Sequence, residues 1–189
     1  MNALAPTLLP RLLPAVDQRI RDLLLISAGA ALVTLLAQIK IPLPFTPVPL
    51  TGQTFGVLLT GAALGSRRGA ASLTLYASLG ALGLPVFAGG ASGAAYAFGP
   101  TGGYLLGFIL SAWVIGLLAE RGLERRWRSS LLPFLIGTLI IYALGAAWLA
   151  FFVGPAAALA KGVLPFLPGD ALKLVLAALT LPAAWKTIQ

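Results

Sequence analysis

Between residues 23 and 185 the chain passes through six apolar stretches, at about 23–39, 54–64, 69–84, 104–119, 131–153 and 171–185. The first five contain no charged residue and the sixth contains one lysine, Lys173. A helix needs about 20 apolar residues to cross the hydrocarbon of a bilayer. The fifth stretch meets that length outright, and the second reaches it only with its flanks. A soluble domain of this size would carry about a quarter charged residues, whereas here 10% are charged and 59% hydrophobic. With a mean hydropathy of +0.95, most side chains must face lipid or one another. The fold class expected is an all-α integral membrane protein, a compact bundle of six transmembrane helices spanning residues 23–189, preceded by a cytoplasmic or interfacial arm at residues 1–22. Pro6, Pro10 and Pro14 break the short apolar run of that arm, which suits neither a signal peptide nor a span; a short surface helix is the variant.

The basic residues fall between these stretches. Arg11, Arg19 and Arg21 precede the first, Arg67 and Arg68 separate the second from the third, and Arg121, Arg125, Arg126 and Arg128 separate the fourth from the fifth; Lys186 follows the sixth. Cytoplasmic loops of membrane proteins collect Lys and Arg, so six spans with both termini in the cytoplasm satisfy all four groups at once. Only Lys40, Lys161 and Lys173 fall on the other side. The net charge of +8 therefore reads as a topology signal, with no nucleic-acid partner. The mixed segment ERGLERRWR reads as a solvated loop with a possible partner contact. On the outward side the segments IPLPFTPVPLTGQ, GLPVFAGGASGAAYAFGPTGGY and GPAAALAKGVLPFLPGD are long, rich in Pro and Gly, and nearly free of charge. Lipid cannot satisfy irregular backbone, so these loops are expected to fold back over the bundle.

Few residues are equipped for chemistry. The chain has no cysteine, no histidine and five carboxylates, which leaves no thiolate or imidazole for a metal and few general bases. No cofactor and no enzymatic activity are expected. There is no phosphate-binding G-x-x-x-x-G-K-[ST] loop, and no line of acids through the spans to carry protons; uphill transport would draw its energy from another subunit.

Against this background PGDALK, at 168–173, stands out. Asp170 follows Pro168-Gly169 and is expected to cap the last helix. Lys173 lies in the first turn of that helix, where the dipole disfavours a cation, and its immediate neighbours are all apolar. A spacing of three puts both on one helix face. One reading is a structural pair, or a lysine snorkelling to the headgroups. The other is a small-molecule site, with Lys173 meeting a carboxylate and Asp170 accepting from a neutral N–H. Thr51 and Gln53 open the second span, and Thr101, Gly103 and Tyr104 open the fourth, at the same end. Phe45, Phe87, Tyr96 and Phe98 can supply apolar walls. Gly89 and Gly90 in the glycine-rich loop allow backbone N–H groups to approach a ligand closely. Small residues also recur at spacing four, as Ser27-x-x-x-Ala31, Gly61-x-x-x-Gly65 and Gly103-x-x-x-Gly107, which suits close helix contact.

Taken together, PVPLTGQTFGVLLTGAALG, LPVFAGGASG, GPTGGYLLGF and PFLPGDALK resemble the BioY family, the biotin-specific substrate-binding (S) components of energy-coupling factor transporters. The similarity runs from about residue 41 to the C-terminus. It implies a six-helix protein of the cytoplasmic membrane that binds biotin from outside and works with a transmembrane coupling subunit and two ATPase subunits. Asp170 and Lys173 match the family's acid and lysine of the last helix, and Gln53 its glutamine at the second. Two departures stand out: AGGASG offers no long polar side chain, and the A-x-x-x-A face expected toward the coupling subunit is represented by Ser27-x-x-x-Ala31. An S component for another carboxylated vitamin and a non-transporting membrane scaffold are the alternatives.

Overall fold

Helices in the computed structural model follow the apolar stretches and mostly extend them into their polar flanks. The structure describes residues 3–12 and 14–186; residues 1, 2 and 13 of the expected arm, the Arg11 side chain and residues 187–189 fall outside the description. In chain order the helices are α1 (Leu4–Leu12), α2 (Gln18–Ala37), α3 (Gln53–Leu64), α4 (Ser66–Ala81), the single turn α5 (Ala94–Ala97), α6 (Gly102–Glu120), α7 (Trp127–Val153), α8 (Pro155–Gly162) and α9 (Leu167–Lys186). A two-residue antiparallel ribbon pairs β1 (Lys40–Ile41) with β2 (Leu50–Thr51), setting Lys40 opposite Thr51. Among the described residues four stretches are long and apolar enough to cross a membrane: α2, α6, α7 and the run Pro155–Lys186 that contains α8 and α9.

The long helices pack where side chains are smallest. A Cβ added to Gly61 of α3 would lie 2.9 Å from the Ala112 Cα of α6, and one on Gly107 of α6 would lie 2.9 Å from the Ile141 Cα of α7. Close backbone approach is how apolar helices gain packing energy when lipid offers no hydrophobic drive. Ser27 and Ala31 behave differently. Both are exposed, on a face of α2 that also presents Leu23, Leu24 and Leu35.

Polar side chains close the end of the bundle that carries the arginines. Arg68 Nε donates to Asp22 Oδ1 at 2.7 Å. Glu120 Oε1 accepts from both the backbone N–H (2.8 Å) and the hydroxyl (2.9 Å) of Ser66, holding the start of α4. The N-terminal segment is helical, and Ala3 and Leu4 are buried, with Leu4 in the cluster of Leu58, Ile115, Phe134 and Trp185. The segment ERGLERRWR is not uniformly solvated, because Glu124 is fully buried.

At the opposite, ribbon end the irregular segments do fold over the helices. Phe87 fills the space left by the missing side chain of Gly80. Trp148 Nε1 donates to the Gly99 carbonyl at 2.9 Å, and Thr46 Oγ1 to the Lys161 carbonyl at 2.8 Å. The first bond satisfies a loop carbonyl and the second a carbonyl in the last turn of α8, groups that lipid would leave bare.

Candidate binding site

The ribbon end encloses a cavity of about 50 Å³ lined by β2, the starts of α3, α6 and α9, and the middle of α7. Its polar side is built around Asp170. The sequence reading made Asp170 a helix cap, but α9 already begins at Leu167, so the carboxylate is free to turn inward. Asp170 Oδ1 accepts from Thr54 Oγ1 and from Lys173 Nζ, both at 2.8 Å. Its Oδ2 accepts from the Tyr142 hydroxyl at 2.6 Å. These are side-chain donors from α3, α7 and α9, and they leave Asp170 only 5% exposed.

Lys173 is likewise not the lone cation that its apolar sequence neighbours suggested. Its Nζ donates to the Thr51 carbonyl at 2.6 Å, to Thr54 Oγ1 at 3.0 Å and to Asp170 at 2.8 Å. An ammonium has three N–H donors, so all three are used inside the protein. With α9 beginning at Leu167, Lys173 lies beyond the first turn, where the helix dipole no longer disfavours a cation, and it faces an acid of its own helix and a carbonyl from the ribbon. The pair has no net charge and lies within a neutral network, the condition under which buried charges are tolerated.

Gln53 extends this network. Its Nε2 donates to the Tyr76 hydroxyl, and its Oε1 accepts from Thr51 Oγ1 at 2.8 Å. Aromatic and aliphatic groups make up most of the rest, among them Tyr96, Tyr104, Leu105, Phe108, Ile141 and Phe166. Tyr104 also braces α8, donating to the Gly162 carbonyl at 2.7 Å.

Of the residues singled out in the sequence, Asp170, Lys173, Thr51, Gln53, Thr101 and Tyr104 all line this cavity. Phe87, Gly89, Gly90 and Gly103 do not. Phe87 is fully buried behind the wall, edge-on to Tyr76 and stacked on Tyr96 with centroids 5.1 Å apart. Gly89 has φ +66°, and the space where its Cβ would sit is taken by the aliphatic stem of Lys40. Gly90 takes φ +79° in the same turn. Gly103 is a packing residue, since a Cβ there would meet Trp148 Cβ at 2.2 Å. Phe45 and Phe98 are exposed.

Thr54, Tyr76 and Tyr142 belong to the polar network and were missed. A signal was present in the sequence. The chain has four tyrosines, Tyr76, Tyr96, Tyr104 and Tyr142, and a phenol within an apolar helix needs a partner for its hydroxyl. Three of them line the cavity and the fourth bonds Gln53.

Comparison with known proteins places this geometry in a lineage. The family model described as "BioY family" matches residues 9–189. A protein named biotin transporter BioY from Thermotoga maritima is 46% identical over 156 residues, covering 82% of this chain and 91% of that one. A probable biotin transporter BioY from Pyrococcus horikoshii is 43% identical over 153 residues, covering 81% and 89%. Among solved structures, the S-component for biotin from an ECF-type ABC transporter superposes with a TM-score of 0.78 at 29% identity, covering 91% of this chain and 95% of that one. A family match that takes in nearly the whole chain, relatives above 40% identity and a shared fold lead to one assignment: this chain belongs to the BioY family.

Proposed function

We propose that this chain captures biotin at the ribbon end of its helix bundle as the S component of an energy-coupling factor transporter in the cytoplasmic membrane. In this reading α2, α3, α4, α6, α7 and α9 cross the membrane, with the arginine-bearing loops and both termini in the cytoplasm. A transmembrane coupling subunit and two ATPase subunits supply the energy. The coupling subunit meets the exposed face of α2 around Ser27 and Ala31, where small residues allow a close helix contact.

The observation that carries the reading is the neutral Asp170–Lys173 pair set in a polar network against aromatic walls. Biotin has a neutral ureido ring, in which a carbonyl oxygen is flanked by two N–H groups. Once Lys173 exchanges one of its internal bonds for the ligand, an ammonium beside a carboxylate presents a donor and an acceptor side by side, complementary to that edge. A ligand carboxylate suits the pair less well, because Asp170 already neutralises Lys173. We therefore assign the ureido ring to Asp170 and Lys173 and direct the valerate chain toward the mouth, which reverses the role that the sequence suggested for Lys173. Small-molecule pockets usually measure about 300–1,000 Å³, so a cavity of about 50 Å³ must widen to admit the ring. Val48 and Pro49 of the loop before β2 form part of its lining together with Leu50 of β2; lifting that loop means breaking the exposed Thr46–Lys161 bond and withdrawing the buried Val48 from the core.

Titration calorimetry of the purified full chain in detergent with biotin, thiamine and riboflavin tests the substrate. Tight binding of biotin alone is expected, and tighter binding of either other vitamin would overturn the assignment. Biotin methyl ester tests the orientation. Lys173→Met should weaken biotin and its methyl ester by the same factor; a loss seen with biotin and absent with the ester would return Lys173 to the carboxylate.

A further inference from the structure

The arginine end holds a second cleft of different chemistry, between the start of α7 and the end of α9. It is lined by Arg125, Arg126, Arg128 and Lys186 at its rim, and by Trp127, Leu179, Pro182 and Ala183 along its apolar side. The topology rule accounts for basic residues in this loop, but not for their arrangement. Arg126 and Arg128 flank the first residue of α7, a 27-residue helix whose first turn holds no acid and whose N-cap makes no side-chain bond. Cations are unfavourable at that positive end of the dipole, and anions are favoured there. Lys186, from another helix, adds a further positive charge to the same rim.

Among the described residues no surface carboxylate pairs with this cluster. Glu124 is fully buried, with Arg125 Nε 4.0 Å from its Oε1. Arg125 Nε has no hydrogen-bond partner among the described residues, and its guanidinium stacks 4.5 Å from the Trp185 ring. The neighbouring basic loop is different, since Arg68 there is paired with Asp22 at 2.7 Å. The cleft thus joins an uncompensated cationic rim to an apolar furrow beside two helices apolar enough to span a bilayer, with Trp127 exposed at the junction. That profile complements a phosphate attached to an acyl chain.

We infer that the cleft between α7 and α9 is a binding site for an anionic phospholipid, whose phosphate lies among Arg126, Arg128 and Lys186 and whose acyl chain follows Leu179 and Ala183. The site is independent of the biotin reading, because its residues lie at the end of the bundle opposite the polar network.

Native mass spectrometry and thermal melting of the detergent-purified full chain test it, with phosphatidylglycerol and phosphatidylcholine of identical acyl chains. Phosphatidylglycerol should bind at least tenfold more tightly and raise the melting temperature. Arg126→Gln with Arg128→Gln should remove that preference, while Arg67→Gln, at the other basic loop, should keep it. Biotin titration of each variant checks that the fold survives. Equal binding of the two lipids, a preference retained in the double variant, or the same stabilisation by inorganic phosphate alone would each overturn the site. So would loss of a co-purifying coupling subunit in the double variant with lipid binding unchanged, which would make the cleft a protein contact.

Discussion

Replacing Lys173 by methionine keeps most of the side-chain volume and removes the ammonium. The Asp170 side chain is 6% exposed and that of Lys173 17%, so solvent screens this pair little. Without Lys173 the carboxylate keeps the Thr54 and Tyr142 hydroxyls but loses its counter-charge in a largely buried site. Breaking a buried pair from one side costs about 3–5 kcal/mol, whereas replacing both partners by apolar groups is often neutral or stabilising. Lys173→Met and Asp170→Leu should therefore each lower stability by about 3–5 kcal/mol, and the double variant should recover most of that loss. Binding should follow the opposite pattern. Each single variant should lose about 1.5–3 kcal/mol of affinity, the range for a hydrogen bond to a charged group, and the double variant should not recover it. Unfolding in detergent micelles followed by tryptophan fluorescence measures the first quantity, and calorimetric titration with biotin the second. A single Lys173→Met variant within about 0.5 kcal/mol of the parent, the range for uninvolved surface positions, would refute the claim that the two charges act as one neutral unit. So would a double variant no more stable than either single one.

Tyr142→Phe removes the donor to Asp170 Oδ2 and leaves a buried acceptor unpaired, which should cost about 1–3 kcal/mol of stability by the same unfolding assay. Gly103→Val inserts side-chain atoms against Trp148 and the Leu144 carbonyl; overpacking of this kind costs about 1–3 kcal/mol, and a melting temperature equal to the parent's would show that α6 and α7 are not in tight register. Burial of Glu124 pushes its carboxyl above the ordinary value of 4.5, against the opposing pull of Arg125. The folded protein thus holds this proton more firmly than the unfolded chain, so its contribution favours folding at low pH and is lost as pH rises from 4.5 through the raised folded value. Glu124→Gln should flatten the fall in stability over that window, and a slope identical to the parent's would count against it.

The helix bundle was legible because its cause is local. Apolar stretches with almost no charge recur along the chain, and a bilayer permits such stretches few structures other than helices. Helix ends were less legible because polar caps lie outside the apolar pattern; Asp17 starts α2 five residues before the apolar stretch does. The candidate site was half legible. Thr51, Gln53, Asp170 and Lys173 stand out as polar residues at the mouths of apolar stretches, and the cavity gathers all four. Their mutual relations depend on contacts across more than a hundred residues of chain, such as Thr54 with Asp170 and Lys173 with Thr51. Those contacts decide whether Lys173 is a free cation or a compensated one, and neither spacing nor composition encodes them. The glycines misled for a related reason. A glycine beside a ligand and a glycine under a neighbouring side chain look alike in sequence, and at Gly89 and Gly103 the nearby atoms are those of Lys40 and Trp148. Tyrosine proved the more informative residue, because its hydroxyl in an apolar helix demands a partner. At Tyr76 and Tyr142 those partners are Gln53 and Asp170, so locating the phenols locates the polar network.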